Sequence, residues 1–346
     1  MVRAEPANDR APLVSEAWPR FGLGEPFRIA LCPLVGKAHP AFDLTMGDRG
    51  FRACVHLPMI EPAGHAVREQ LELILGLAVQ EGVHLLVFPE LTVDVATREW
   101  LTETLKGRKR SDLPLGVVAG SFHVERATSD RPYNESRFVD GRGWELLEHQ
   151  KRGRFRVTRK QVGKLLDRGF FCDVGGLRAR LSQLPVVIEE HIEPGTRLEL
   201  LEAAIGQMAV LICADAIDDV SRHQLRDAVA HLRPDFLFLP AMSPKTALFD
   251  ELTASMERRG VSTFFVNAHC LCPRGQTLAA VCLSLFRGKD DPPTRVRWRQ
   301  GVGLEEWASH AGLWKRLRQP VAPFSWLRGP REKRLGLVVD LGAYWR

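Results

Sequence analysis

The stretch HLLVFPE (84–90) decides the fold class, because an apolar run ends there in proline and then glutamate. Such a run is typical of a strand that is buried on both faces in a parallel sheet. Before it, apolar positions recur at helical spacing over 66–80, and FRIALCPLV (27–35) forms another buried run. A strand, a helix and a strand in this order predict an α/β architecture.

Similar patterns continue towards the C-terminus. We predict helices at 95–106, 219–232 (with Asp219 as N-cap) and 246–259, and strands at 115–122, 137–140, 144–149, 234–240, 262–268, 277–286 and 335–341. Gly141-Arg142-Gly143 predicts a hairpin, and 198–215 reads as two strands that turn at Gly206. We interpret 37–64 as irregular, 152–185 as basic and irregular, and 300–330 as a tail-like insertion.

Composition predicts one globular domain, since 45% of residues are hydrophobic, 26% are charged and no Gly/Ser-rich linker occurs. We expect a flexible polar arm (1–26), then a domain (27–346) that ends in a C-terminal extension (about 288–346). A membrane helix needs a run of about 18 apolar residues, and none is present. The N-terminus lacks the apolar core of a secretory signal, and the seven cysteines show no paired spacing. These features predict a reduced, cytoplasmic protein.

Charge and cysteine spacing leave two further possibilities open. The formal charge is +6, and arginines cluster at 151–160, 295–299, 315–318 and 328–334. Such clusters can bind nucleic acid, but they are more often solvated faces, and no nucleic-acid-binding motif accompanies them. Cys270-x-Cys272 could suggest a metal, but no second ligand pair accompanies it, so we predict no metal site.

Three polar residues stand where predicted strands end. Glu90 follows Pro89, which lacks an N–H and stops the strand; Lys151 follows the hairpin strand; and Cys213 ends AVLIC. Read singly, they are an exposed carboxylate, a solvated lysine and an inert buried thiol. α/β enzymes place ligands at such a sheet edge, which makes Glu90 a candidate site residue. What sets the three apart is that they stand at three predicted strand ends in the order Glu, Lys, Cys.

The order of these motifs resembles the nitrilase, or carbon–nitrogen hydrolase, superfamily. There a Glu follows a strand ending in Phe-Pro, a Lys follows the strand after a Gly turn, and a Cys stands in an Ile-Cys-x-Asp context. The matching stretches are FPE (88–90), GRGWELLEHQK (141–151) and ICAD (212–215). Weaker matches are Asn134, Glu189 or Glu190 before EPG (193–195), LPAMSP (239–244) and MERRGVSTFFVNAH (256–269).

This resemblance, which spans residues 27–287, implies a fold, an assembly and an activity. The implied fold is a single-domain α-β-β-α four-layer sandwich, and relatives pair, so we expect at least a homodimer. The implied activity is hydrolysis of an amide-type carbon–nitrogen bond in a small molecule, with no metal or organic cofactor. Nitrile hydrolysis and acyl transfer to an amine remain alternatives.

The resemblance also implies roles for the site residues. Cys213 is the nucleophile that forms a thioester, and Glu90 is the general base and acid. Lys151 and the N–H of Ala214 stabilise the oxyanion, and we expect the lysine to lower the pKa of the thiol.

Two supporting roles complete this hypothesis. Glu189 or Glu190 orients Lys151 or the substrate, and the sequence leaves the choice between them open. Asp215 is expected to hold the turn after Cys213 through its side chain.

Departures from the superfamily pattern motivate a second hypothesis. AIDDV (216–220) follows Asp215 where relatives show Pro-Glu, and Ala-His-Cys follows Asn267. With the arginine clusters, these departures suggest a binding or regulatory module that acts with nucleic acid or a protein partner. A Cys-His protease is a third class, with His149, His191 and His269 as candidates.

Overall fold

The fold is known from a computed structural model of the chain. It describes residues 3–6, 27–34, 41–45, 50–54, 57–108, 114–127, 129–167, 176–203, 205–217, 227–229, 231–243, 247–268, 281–285, 294–299, 303–308, 314–317, 324–329 and 334–340.

Twenty strands and five helices are assigned within these residues. The strands are β1 (Arg3–Pro6), β2 (Arg28–Leu31), β3 (Ala41–Thr45), β4 (Gly50–Cys54), β5 (Leu85–Val87), β6 (Gly116–Val124), β7 (Tyr133–Asp140), β8 (Glu145–Gln150), β9 (Arg156–Thr158), β10 (Val187–Glu190), β11 (Arg197–Ala203), β12 (Gly206–Val210), β13 (Phe236–Ala241), β14 (Ser262–Asn267), β15 (Val281–Leu285), β16 (Thr294–Arg299), β17 (Gly303–Ala308), β18 (Trp314–Leu317), β19 (Phe324–Arg328) and β20 (Arg334–Asp340). The helices are α1 (Leu57–Gln80), α2 (Val95–Lys106), α3 (Arg159–Asp167), α4 (Ala214–Ile217) and α5 (Ala247–Glu257), and a short 3-10 helix covers Leu181–Gln183.

Two large sheets form the body of the protein. The first has the order β19-β20-β2-β5-β6-β7-β8, and the second has the order β1-β11-β12-β13-β14-β15-β16-β17-β18. A smaller sheet, β3-β4-β10-β9, carries the segment before α1 and the basic segment after β8. In each large sheet the central strands β2-β5-β6 and β12-β13-β14 are parallel.

The two large sheets pack face to face. Leu85 and Phe138 of the first sheet belong to the same buried apolar cluster as Met208, Phe238 and Phe264 of the second. Successive residues of a strand point to opposite faces, so neighbouring residues of the same strands belong to outer clusters. This alternation explains why the central strands are apolar on both sides.

Helices cover the outer faces. On the first sheet, Leu86 and Val117 pack with Ile74 of α1 and Leu101 of α2. On the second sheet, Leu237 and Phe265 pack with residues of α5 such as Phe249 and Met256. The layer order is therefore helix, sheet, sheet, helix, and the predicted α-β-β-α sandwich is confirmed.

The interpretations of 37–64 and of 152–185 as irregular are both wrong. Residues 37–64 contain β3, β4 and the start of α1, which begins at Leu57 rather than at residue 66. Pro62 and Gly64 disfavour a helix locally, so the sequence pattern did not predict the first turns of α1. Likewise β4 pairs with the distant β10, and such a long-range pairing leaves no local signal.

The interpretation of 300–330 as a tail-like insertion is also wrong. β17 and β18 continue the second sheet, and β19 pairs with β20 in the first. Trp326 lies in the cluster between the sheets and Leu327 in the outer cluster, so β19 is buried on both faces. The basic segment after Lys151 contains β9, α3 and the 3-10 helix.

Both predicted turns are confirmed, because β7 pairs with β8 and β11 with β12 in antiparallel fashion. Asp219, the predicted N-cap, lies outside the described residues, as do Cys270 and Cys272. The side chains of β16 and β18, which carry two of the arginine clusters, are also outside them. None of the helices in the described part of the chain combines the length and apolar character of a membrane span.

The predicted division into an arm, a domain and a C-terminal extension stays a prediction. Within the arm, β1 pairs in parallel with β11 at one edge of the second sheet.

Candidate active site

Glu90 lies directly after β5, where the chain leaves the first sheet. It forms a bridge with Ser121 of β6, and the next residue, Leu91, has a positive φ of 53°. Gly120, at a φ of +68°, makes room for this path, because a Cβ there would collide with the Pro89 carbonyl oxygen. The register of β6 shifts at this point, so a local irregularity brings the Glu90 carboxylate into the interior.

Lys151 lies directly after β8, at the edge of the same sheet. Its N–H donates to the Asn134 carbonyl oxygen at 2.7 Å, and its own carbonyl oxygen accepts from the Gly195 N–H at 3.0 Å. Gly195 is needed there, because a Cβ would collide with the Gln150 carbonyl oxygen. The backbone of Lys151 is therefore fixed on both sides.

Cys213 lies in the turn between β12 and α4. Its φ is +39°, a left-handed conformation that is uncommon outside glycine. Its N–H donates to the Pro240 carbonyl oxygen at 3.0 Å, and its carbonyl oxygen accepts from the Ala216 N–H at 3.0 Å. A tight turn thus holds the thiol at the end of the second sheet, in a strained conformation of the kind found at functional sites.

The structure brings the three predicted residues together between the ends of the two sheets. Lys151 Nζ lies 2.6 Å from Glu90 Oε1, and the charges of both Glu90 and Lys151 act on the pKa of the Cys213 thiol. Asn134 Nδ2 also donates to Glu90 Oε1, at 3.0 Å. All four side chains are buried, so these polar groups depend on one another for hydrogen bonds.

The two adjacent glutamates that the sequence left open occupy different environments. Glu190 is buried, and its Oε2 accepts from Lys151 Nζ at 2.6 Å. Glu189 points the other way, where Arg156 Nε donates to it at 2.9 Å and its side chain is 40% exposed. Glu190 therefore lies in the candidate site and Glu189 lies on the surface.

The backbone of Met242 contacts both the Glu90 carboxylate and the Cys213 thiol. Its N–H donates to Glu90 Oε2 at 3.0 Å, and its carbonyl oxygen lies 4.0 Å from Cys213 Sγ. Asn267 holds the next residue, since its side chain accepts from Ser243 N at 2.8 Å and donates to Ser243 O at 2.9 Å. The segment LPAMSP therefore supplies a hydrogen bond to Glu90.

Burial and neighbouring charges shift the pKa values of Glu90 and Glu190 in opposite directions. Burial raises the pKa of Glu90; the Lys151 charge opposes this and the Glu190 charge adds to it, so the pKa lies above its ordinary value. Burial also disfavours ionised Glu190, but the Lys151 charge and the His123 hydrogen bond outweigh it and hold the pKa of Glu190 well below its usual range. Glu90 is thus the more basic carboxylate.

The pKa of the Cys213 thiol lies well above its ordinary value, although Lys151 acts to lower it as expected. Burial raises it most, the Glu90 charge raises it further, and Lys151 only partly opposes them. For Lys151 itself, burial acts downward, but the Glu190 and Glu90 charges hold its pKa above its ordinary value. Burial and the Glu90 charge therefore favour the neutral thiol of Cys213 over its thiolate.

Ala214 and Asp215 begin α4, immediately after Cys213. Both are buried, and Asp215 Oδ2 accepts from the Ile212 N–H at 3.1 Å, within the turn. Gly153, two residues after Lys151, packs against this turn so closely that a Cβ would lie 2.7 Å from the Ala214 carbonyl carbon. The lysine segment and the cysteine turn are in direct contact.

Sequence reasoning missed His123, and it named His149 only as a candidate for a Cys-His protease. His123 Nε2 lies 2.8 Å from Glu190 Oε1, and His149 Nε2 lies 2.8 Å from Asp215 Oδ2. The only signal for them was that alternate residues of β6 and β8 point to the same face as the site. Among the described residues, no group of three or more His, Cys, Asp or Glu side chains could hold a metal ion.

Comparisons with known proteins bear on the fold. No protein-family model matches the chain, and no curated protein matches it either. Among solved structures, it is similar to a cysteine-to-alanine variant of an amidase of the nitrilase superfamily from Nesterenkonia sp. AN1 (16% identity, 95% of this chain and 94% of that chain, TM-score 0.49). It is also similar to a glutamine-dependent NAD+ synthetase from Acinetobacter baumannii (14% identity, 86% and 48%, TM-score 0.49).

A third similar structure is the NitFhit protein of C. elegans, at 11% identity over 92% of this chain and 62% of that chain, with a TM-score of 0.51. This likeness agrees with the layer order of the described residues, and it extends over nearly the whole chain. The chain therefore has the fold of the nitrilase, or carbon–nitrogen hydrolase, superfamily.

Proposed function

We propose that this protein is a hydrolase that cleaves an amide-type carbon–nitrogen bond of a small molecule through a thioester on Cys213. The observation that carries this proposal is that a thiol, a basic carboxylate and a cation meet in one buried place. The Glu90 carboxylate contacts Lys151, and the backbone of Met242 contacts both Glu90 and the Cys213 thiol. The second carboxylate, Glu190, pairs with the lysine.

The first half-reaction forms the thioester. Glu90 takes the thiol proton as Cys213 Sγ attacks the carbonyl carbon, and the carbonyl oxygen becomes an oxyanion. Lys151 and the N–H of Ala214 stabilise that oxyanion. The intermediate collapses when the carbon–nitrogen bond breaks, and Glu90 gives its proton to the leaving amine.

The second half-reaction releases the acid. Glu90, again ionised, takes a proton from water as the water oxygen attacks the thioester carbon. The bond from carbon to Cys213 then breaks, and the thiolate recovers the proton from Glu90. One amide and one water thus give one carboxylic acid and one amine, and no step requires another reagent.

Ionised Glu190 has a supporting role in this scheme. It holds Lys151 charged, so the lysine can offer hydrogen bonds to the oxyanion throughout the reaction. His123 and Asn134 both bond to Glu190 Oε1, at 2.8 and 2.9 Å, and so fix this carboxylate. A binding module without chemistry gives no reason to bury such a costly set of charges.

Intact-protein mass spectrometry with a panel of small amides tests the proposal. We expect wild type to accumulate an acyl adduct at Cys213 or to turn over at least one amide, whereas Cys213→Ala does neither. Cys32→Ala is the matched control, since Cys32 is a second free, buried cysteine in the outer apolar cluster of the first sheet. Loss of turnover in both variants, or no adduct and no turnover in wild type, contradicts the proposal.

A homodimer or higher homo-oligomer and a cytoplasmic location stay predictions. Light scattering at several protein concentrations measures the first. The nucleic-acid alternative predicts salt-sensitive binding in a mobility-shift assay.

A further inference from the structure

The carboxylate of Asp215 joins the two segments that carry Lys151 and Cys213. Its Oδ1 accepts hydrogen bonds from the N–H groups of Arg152 and Gly153, both at 2.7 Å. Its Oδ2 accepts from Ile212 N at 3.1 Å and lies 2.8 Å from His149 Nε2. Asp215 is fully buried, so these four partners replace the solvation that the carboxylate has lost.

These partners are arranged around the two reacting side chains. His149 stands two residues before Lys151, and Arg152 and Gly153 follow it directly. Ile212 immediately precedes Cys213. One carboxylate therefore joins the backbone after the lysine and the side chain of His149 before it to the turn that carries the thiol, across the gap between the ends of the two sheets.

The ring of His149 is suited to donate to this carboxylate. It is buried, and its Nδ1 has no hydrogen-bond partner among the described residues. With a hydrogen on Nε2, the ring donates to Asp215 Oδ2 at 2.8 Å.

We infer that His149 and Asp215 form a buried clamp that sets the position of Lys151 relative to Cys213, and that both are positioning residues. The inference rests on the proposed function for its meaning in catalysis. The geometry of the clamp concerns only the position of Lys151. The closing experiment is chosen so that the clamp and the proposed function can fail separately.

Loosening the clamp changes the electrostatics of the thiol. The Lys151 charge lowers the pKa of Cys213, against burial and the Glu90 charge that raise it. If Lys151 moves away, it lowers the pKa of Cys213 less, so the thiol ionises only at higher pH. A shift of this kind reports on lysine placement and does not require amide turnover.

The experiment measures the pH dependence of Cys213 alkylation by iodoacetamide, followed by mass spectrometry of the Cys213 peptide. His149→Leu removes the donor, whereas His149→Gln places an amide N–H near the position of Nε2. We expect the leucine variant to shift the profile to higher pH, in the direction of Lys151→Met, and the glutamine variant to stay near wild type. In a Lys151→Met background, His149→Leu should add no further shift, because its effect passes through the lysine.

A matched control separates the clamp from general loss of stability. His84 also makes a hydrogen bond in the first sheet, since its Nδ1 accepts from Arg28 N at 2.9 Å, but it precedes β5 and lies at the opposite end of that strand from Glu90. His84→Leu should lower the melting temperature without moving the Cys213 profile. An unshifted profile in His149→Leu, or an equal shift with and without Lys151, overturns the inference.

Hydrogen-exchange mass spectrometry of the peptide that contains Arg152 and Gly153 is the second measurement. Both amides donate to Asp215, so we expect faster exchange there in His149→Leu and Asp215→Asn, and wild-type exchange in His149→Gln. Unchanged protection in all three variants also overturns the inference.

Kinetics then connect the clamp with the proposed function. With an amide that wild type hydrolyses, His149→Leu should lower kcat roughly 10- to 100-fold, the cost of a small misplacement, with much less change in KM. If wild type forms no acyl adduct, the proposed function fails, while the alkylation and exchange experiments still decide the clamp.

Discussion

Replacing one or the other of the adjacent residues Glu189 and Glu190 by glutamine compares a surface ion pair with a buried one. Glu190 Oε2 accepts from Lys151 Nζ at 2.6 Å and from Phe155 N at 3.0 Å. Its Oε1 interacts with His123 and Asn134. In Glu190→Gln only one oxygen remains to accept hydrogen bonds. The new amide nitrogen must therefore face either Lys151 and Phe155 or His123 and Asn134.

The magnitude follows from burial. Removing one partner of a buried ion pair typically destabilises a protein by about 3–5 kcal/mol, and we expect Glu190→Gln to fall in this range. The Glu189–Arg156 pair is exposed on both sides, at 40% and 55% of the side chains. Exposed pairs contribute roughly 0–1 kcal/mol, so Glu189→Gln should be nearly neutral.

Urea unfolding, followed by circular dichroism, measures both variants. The pH dependence has a definite sign, because the pKa of Glu190 is depressed in the folded state. Its stabilisation is fully present above the ordinary glutamate pKa and is lost as pH falls towards the depressed value. The gap between wild type and Glu190→Gln should therefore narrow in acid. Equal destabilisation by the two substitutions, or a gap that widens in acid, would refute this reasoning.

Two further predictions concern catalysis. Lys151→Met should lower kcat on the order of 100- to 1000-fold, the usual cost of losing one oxyanion donor, in steady-state assays below the melting temperature of the variant; a rate within a few-fold of wild type would contradict its role. The pKa of Glu90 is raised, so kcat/KM should fall with decreasing pH at an apparent pKa above the ordinary glutamate value, because the base must be ionised. A profile that stays flat down to the ordinary glutamate pKa would remove Glu90 as the base.

Much of the fold was predictable because its signals are local. Apolar runs that end in proline or glycine marked the central strands, and the helical stripe of 66–80 marked most of α1. Of the elements that were missed, β4 pairs with β10, which lies far away in the sequence. β19 pairs with the next strand, β20, but its Trp326 and Leu327 pack in clusters that only the assembled sheets form.

The candidate site, too, was predictable only in part. Glu90, Lys151 and Cys213 could be named from the sequence, because each stands at the end of a predicted strand and their order resembles that of the nitrilase superfamily. The direction of the thiol pKa could not, since it depends on how fully the group is buried and on its distance from Glu90 as well as from the lysine.

The sequence by itself determined the layered α/β fold and the order of a glutamate, a lysine and a cysteine at three strand ends. Only the tertiary structure decided between Glu189 and Glu190, because adjacent residues of a strand point to opposite faces and the pairing of β10 with β4 and β9 settles which face is buried. It also brought His149 to Asp215, which lie 66 residues apart in the chain. That contact exists only because two sheets meet where their strands end, and no local pattern records it.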